Sequence, residues 1–354
     1  MLRLELRKEP SKVMVWLTPI LAVVMTMLAG MLLFRQLGYD PIETIRLIFV
    51  QPFFDPYSRS ELLVKGTPLV LIAMGLSLGF RAGVWNIGAE GQFIIGGLCG
   101  GAMGLAFYDV PGLWLLPLMA VAGAAGGFAW AMIPAVLKIK FNANEILVSL
   151  MLVYVAELLL SAMVSGPLRD PDGFNFPESR LFHDSAILPL LISGTRAHVG
   201  VLLALGAVVI GYVLLQRHMF GYQIKLFGQA PRAAKFAGFS QGRLIAMCLG
   251  ISGALAGLAG MFETSGPVGQ LVPSLPVGYG FTAIIVAFLG RLHPIGILFA
   301  GAVMALTYIG GEAAQIGMNL PAAAINVFQG MLLFFLLGMD ILVNYRVRLS
   351  RRVA

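Results

Sequence analysis

The 354-residue chain has little charge and almost no cysteine: 12% of its residues are Asp, Glu, Lys or Arg, and only Cys99 and Cys248 carry a thiol. An ordinary soluble domain is about 25% charged. The shortage of charge excludes a solvated globular surface, because 58% of the residues are hydrophobic and apolar patches beyond a few hundred Å² aggregate or recruit partners. Both cysteines lie inside apolar runs with no His or Cys at ligand spacing, so they read as packing residues, and a disulfide framework or zinc site is excluded. His183, His198, His218 and His293 fall in or near loops without HExxH or facial-triad spacing; no metal site is expected. The phosphate-cradling Gly-x-x-x-x-Gly-Lys-Ser/Thr loop is absent, as is a Gly-x-Ser-x-Gly nucleophile elbow, so the chain is read as a non-enzyme.

What is present is a series of long apolar runs. A hydrocarbon core about 30 Å thick needs roughly 20 apolar residues per helix, and ten candidates emerge: Met14 to Phe34, Glu61 to Phe80, Ile87 to Phe107, Leu113 to Leu137, Ile146 to Val164, Ala197 to Gln216, Leu244 to Phe262, Gly280 to Leu289, Ile295 to Gly311 and Pro321 to Met339. The expected fold is an all-α polytopic membrane protein with about ten transmembrane helices. The first run is too long for a typical signal-peptide core and is read as an uncleaved helix.

The formal charge of +7 is scattered between apolar runs, which argues for topology rather than nucleic-acid binding. With both termini in the cytoplasm, Arg3, Arg7, Lys8, Lys12, Arg81, Lys138, Lys140, the basic residues of 217–243, Arg291 and the Arg-rich tail fall inside, while Arg35, Arg46, Arg59, Lys65, Arg169, Arg180 and Arg196 fall outside. The whole chain, 1–354, is expected to form a single transmembrane domain, with a cytoplasmic segment at about 217–243 and a long extracytoplasmic loop at about 166–196. The Thr264 to Tyr279 stretch contains Gly266, Pro267, Pro273 and Pro276 and is expected to be partly re-entrant, since irregular backbone at membrane depth survives only under protein or water. Small-xxx-small spacings, Gly96, Gly100 and Gly104 and again Gly253 and Gly257 with Gly260, predict close helix packing.

The most informative polar stretch is Arg81-Ala-Gly-Val-Trp-Asn-Ile-Gly-Ala-Glu-Gly-Gln92. A charge at bilayer depth costs on the order of 2.5–3.5 kcal/mol on insertion scales, so Glu90 must face water, a partner or freed backbone groups. Two readings stand. Asn86, Glu90 and Gln92 line a solute pathway at a helix break, or they satisfy backbone groups freed by Gly83, Gly88 and Gly91 and hold helices together. Asn144 and Glu145, at a membrane boundary, are second candidates for the pathway. Lys65 and Glu157 are further intramembrane charges; Lys65 can instead snorkel to the outer interface and Glu157 pair with a neighbouring helix.

Gly-Val-Trp-Asn-Ile-Gly-Ala-Glu-Gly-Gln resembles the hallmark of ABC-transporter permeases for nucleosides and simple sugars, within the wider group of ribose-type and branched-chain amino-acid permeases. Asn144-Glu-Ile-Leu-Val-Ser-Leu-Met-Leu, Ser165-Gly-Pro-Leu-Arg-Asp170, Gly228-Gln-Ala-Pro-Arg-Ala-Ala-Lys-Phe-Ala-Gly238, Ser252-Gly-Ala-Leu-Ala-Gly-Leu-Ala-Gly260 and Gly278-Tyr-Gly-Phe-Thr-Ala-Ile-Ile-Val-Ala287 extend the resemblance in order. Trp85 stands where Phe is more usual. The resemblance implies the permease subunit of an ATP-driven importer in the bacterial inner membrane. It implies separate ATPase subunits that use the ATP, no cofactor on this chain, a second permease subunit, related or identical, and an extracytoplasmic substrate-binding protein. Pro231 suits a helix start, and Arg232, Ala233, Ala234 and Lys235 then form a short helix exposing small and basic groups; by resemblance, Gly228 to Gly238 is the coupling segment that docks on the ATPase. From the residues alone, an ion-gradient-driven secondary transporter of a small polar solute remains the alternative.

Overall fold

The computed structural model describes residues 2–6, 11–110 and 112–349. The cytoplasmic markers Arg7, Lys8, Arg351 and Arg352 lie outside the described residues. The chain is almost wholly helical: α1 (Lys12–Gln36), α2 (Pro41–Phe49), α3 (Pro56–Arg81), α4 (Ala89–Ala106), α5 (Leu115–Phe141), α6 (Glu145–Ser165), α7 (Gly200–Gln216), α8 (Met219–Gln229), α9 (Pro231–Phe236), α10 (Gln241–Glu263), α11 (Tyr279–Leu289), α12 (Pro294–Met318) and α13 (Ala322–Asn344). Each of the ten apolar runs coincides with one of these helices. Seven of them (α1, α3, α5, α6, α10, α12 and α13) are long and apolar enough to cross a bilayer, with an eighth if α7 and α8, bent by 66° at their junction, form one broken span. The protein is therefore a polytopic helical membrane protein. α4 is 18 residues long with Glu90 in its first turn, and α11 has 11 residues, which at 1.5 Å per residue is about half the hydrocarbon thickness.

Two features depart from a purely helical, regular reading. Leu2–Leu6 and Tyr345–Leu349 pair as an antiparallel two-stranded ladder, with Leu2 opposite Leu349 and Leu6 opposite Tyr345. Both strands alternate apolar and charged residues, the period of an extended chain. The other departure lies after α10, where a π-helical turn over Thr264–Val268 takes in both Gly266 and Pro267 and ends at Gly269 with φ 75°. The irregular backbone thus begins at Gly269, five residues after the expected start at Thr264.

The chain divides into two compact units, Met1–Arg59 with Leu306–Ala354, and Ser60–Ala305. In the first, α1 packs on α13 around Phe34, Ile48, Leu320 and Phe328, with the Phe34 and Phe328 rings stacked at 5.8 Å. In the second, α4, α5 and α10 pack tightly together at the glycine faces. A methyl on Gly96 would collide with the backbone of Gly257, and one on Gly257 with that of Gly123 and Gly127. Backbone on backbone is what the small-residue spacing permits.

Candidate functional site

The Arg81–Gln92 stretch breaks the helical run as expected. α3 ends at Arg81, Gly83 turns the chain with φ 72°, and Val84 donates back to the Gly79 carbonyl at 2.9 Å before α4 begins at Ala89. Asn86, Glu90 and Gln92 are all buried. Asn86 and Gln92 exchange reciprocal amide hydrogen bonds of 2.8 and 3.0 Å, and Asn86 also donates to the Ser252 hydroxyl at 3.0 Å, tying the break to α10. Glu90 reaches elsewhere. Its two carboxylate oxygens accept the backbone N–H groups of Gly278 at 2.8 Å and Gly280 at 2.5 Å. The first turn of α11 has no side-chain cap of its own, because its N-cap is Gly278; a carboxylate from α4 supplies it, where the helix dipole favours negative charge. The backbone groups that Glu90 satisfies are therefore those of α11 and not those of its own break. Gly280 has no Cβ because one would strike the Glu90 backbone. The other end of α11 is held by the same stretch: Arg81 Nε donates to the Leu292 carbonyl at 3.0 Å, and Trp85 stacks on Phe288 at 5.7 Å.

The approach to α11 is stitched by backbone. Ser179 N–H donates to Leu271 O (3.0 Å), Phe182 N–H to Gly269 O (2.8 Å) and Leu188 N–H to Ser265 O (2.8 Å), so the 166–196 loop runs along the irregular segment that leads into α11. Nearby, Arg196 makes a bidentate pair with the buried Glu61 of α3. Buried Glu263, at the end of α10, has Lys65, Arg196 and Glu61 as charged neighbours, and Lys65 stands 5.8 Å over the Tyr279 ring.

Asn144 and Glu145 sit apart from this junction, at the α5–α6 turn. Asn144 caps α6 by accepting from Ile146 N–H at 3.0 Å, and Glu145 pairs with Lys138 at 2.5 Å. The 217–243 segment folds as α8, the six-residue α9 starting at Pro231, and a turn at Gly238 with φ 82°. Gly228 backs onto the Arg81 carbonyl. Within α9 the faces differ from expectation in one respect: Ala234 is buried against Leu78, Phe220, Ile224, Phe227 and Leu244, whereas Arg232, Ala233, Lys235 and Phe236 are exposed.

Residues 58–337 match the model of the branched-chain amino acid transport system / permease component family. The chain belongs to that family. It is 34% identical over 99% of its length to the glucose ABC transporter permease protein TsgB13 of Haloferax volcanii, of which 95% is covered. It is 30% identical over 90% of its length to the guanosine ABC transporter permease protein NupP of Bacillus subtilis, 92% covered, and 26% identical over 90% to the nucleoside ABC transporter permease protein NupB of Lactococcus lactis, 90% covered. No solved structure matches.

Sequence reasoning missed three features of this permease. Glu61 opens an apolar run and Glu263 falls just past the end of another, and only their meeting with Arg196 and Lys65 in space marks them. Phe236, 93% exposed on α9, follows the small and basic residues of that helix, and an exposed aromatic residue in a polar connecting segment is a signal in its own right.

Proposed function

We propose that this ABC permease imports an uncharged, hydroxylated solute of the nucleoside or simple-sugar class, delivered by an extracytoplasmic binding protein and driven by separate ATPase subunits. The observation that carries the reading is the match over nearly the full length of both chains to permeases named for glucose, guanosine and nucleosides. A second permease chain, related or identical, completes the pathway, and ATP is bound by the partner ATPase and not by this chain.

The proposed topology is ten spans in a bacterial cytoplasmic membrane with both termini inside. The pairing of the two ends in one ladder supports an even number of crossings, and the basic residues assigned inside support the orientation. In this scheme α11 is a half-helix, and 264–278 fills the outer half of its crossing under cover of the 166–196 loop.

Asn86, Glu90 and Gln92 are proposed to support the pathway wall by fixing α10 and α11 about the helix break, with their polar atoms turned to the protein. Asn144 and Glu145 fix the cytoplasmic α5–α6 boundary. Gly228, Pro231, Arg232, Ala233, Ala234, Lys235 and Gly238 form the ATPase-docking elbow. Ala234 anchors it inward, and Phe236 presents an apolar knob flanked by Arg232 and Lys235. The reading is tested by reconstituting the chain with its ATPase, second permease and binding protein: uptake of labelled nucleoside or sugar that requires ATP hydrolysis supports it, and gradient-driven uptake by this chain alone overturns it.

A further inference from the structure

Five carboxylates occur within the α-helices of the Ser60–Ala305 unit: Glu61, Glu90, Glu145, Glu157 and Glu263. Four have donors or cationic neighbours. Glu61 has Arg196, Glu145 has Lys138, Glu90 has the amides of α11, and Glu263 lies among Lys65 and Arg196. Glu157 makes no hydrogen bond or ion pair among the described residues, and the charge it meets is of its own sign, on Glu90.

Its position makes this costly. α6 begins at Glu145, so Glu157 lies twelve residues in, or about 18 Å at 1.5 Å per residue, near the middle of a core about 30 Å thick. α6 is also one of the least buried spans, 22% against 78% for α3. Ser149, Val153, Ala156, Leu160 and Val164 form its packed stripe, and Glu157 sits on the flank of that stripe, half-buried, between it and the exposed Leu158 and Tyr154. An ionisable group at that depth without a partner among the described residues belongs beside water or a polar solute, not lipid.

We infer that Glu157 lines the solute pathway and accepts hydrogen bonds from hydroxyl or amino groups of the uncharged solute as it crosses. The inference rests on the import reading above and adds a contact residue to it. The carboxylate offers two acceptor oxygens, suited to a pair of neighbouring hydroxyls, and its negative charge beside Glu90 disfavours anionic solutes.

The test uses the full transporter, reconstituted with Cys99 and Cys248 replaced by Ala and Glu157→Cys added, probed with a membrane-impermeant cationic methanethiosulfonate. The expected result is that the thiol reacts, that reaction blocks ATP-dependent uptake, and that solute under turnover slows the reaction several-fold. In the otherwise native transporter, Glu157→Gln is expected to raise the KM for uptake roughly tenfold, the difference between a charged and a neutral acceptor, with ATPase co-purification unchanged. An unreactive thiol, as on a lipid-facing or subunit-packed flank, overturns the inference, and so does a reactive thiol unaffected by solute together with a Glu157→Gln KM equal to wild type. Uptake by the parent transporter is the separate control: its absence sinks the import reading, whereas parental uptake with an inert Glu157→Cys sinks only the contact.

Discussion

Glu90 and Glu157 are two helical glutamates, the second a like-charged neighbour of the first, yet they are provided for in opposite ways. Glu90 is fully buried with both oxygens on backbone amides of α11; Glu157 is half-buried on one of the least buried spans, with no donor among the described residues. A buried carboxylate whose oxygens are all engaged holds structure, whereas one without a donor in the middle of an apolar span is where a contact from outside is inferred. The same contrast recurs on α9, where Ala234 is packed and Phe236 stands out.

The comparison is broken most directly at Glu90. Glu90→Leu strands the buried Gly280 N–H and the part-buried Gly278 N–H, at up to about 1–3 kcal/mol each, and frees the start of α11. Thermal unfolding of the solubilised permease is expected to fall by the equivalent of roughly 2–6 kcal/mol; an unchanged midpoint would show that the α11 cap does not hold the fold.

On α9 the effect splits in two. Ala234→Asp places a carboxylate in a closed apolar cluster and is expected to cost on the order of 3 kcal/mol, seen as loss of folded protein in the membrane. Phe236→Ala is expected to leave the unfolding midpoint within about 0.5 kcal/mol of wild type while weakening ATPase co-purification. Normal co-purification of Phe236→Ala would remove Phe236 from the docking surface. Asn144→Ala loses only a helix cap, about 1 kcal/mol, with uptake per folded molecule unchanged. Glu157→Leu closes the series with a stability change within about 0.5 kcal/mol but defective uptake. A large destabilisation there would place Glu157 with Glu90 as a structural residue.

Much of this was legible in the sequence. Each of the ten apolar runs is a helix, the break after Arg81 and the glycine faces follow from residue type and spacing, and Pro231 starts its helix. The partner of Glu90 was not legible, because the amides it caps lie 188 and 190 residues away, and nothing local to Gly278 or Gly280 announces a missing cap except the absence of a polar N-cap residue. Ala234 and Phe236 have neighbouring places in a six-residue helix, too short for periodicity to tell its inner face from its outer one. The terminal ladder has only a short local signal, the alternation of its arginines with Leu and Val that carries the strand period, and the same arginines serve equally well as markers of the cytoplasmic side.

The central claim is that this permease moves an uncharged hydroxylated solute under the control of a separate ATPase. Uptake of labelled nucleoside and sugar into proteoliposomes holding the complete transporter, measured with ATP and with a non-hydrolysable analogue inside, tests it most directly. The account predicts uptake with ATP and none with the analogue. Equal uptake under both conditions, or uptake that follows an ion gradient, would contradict it.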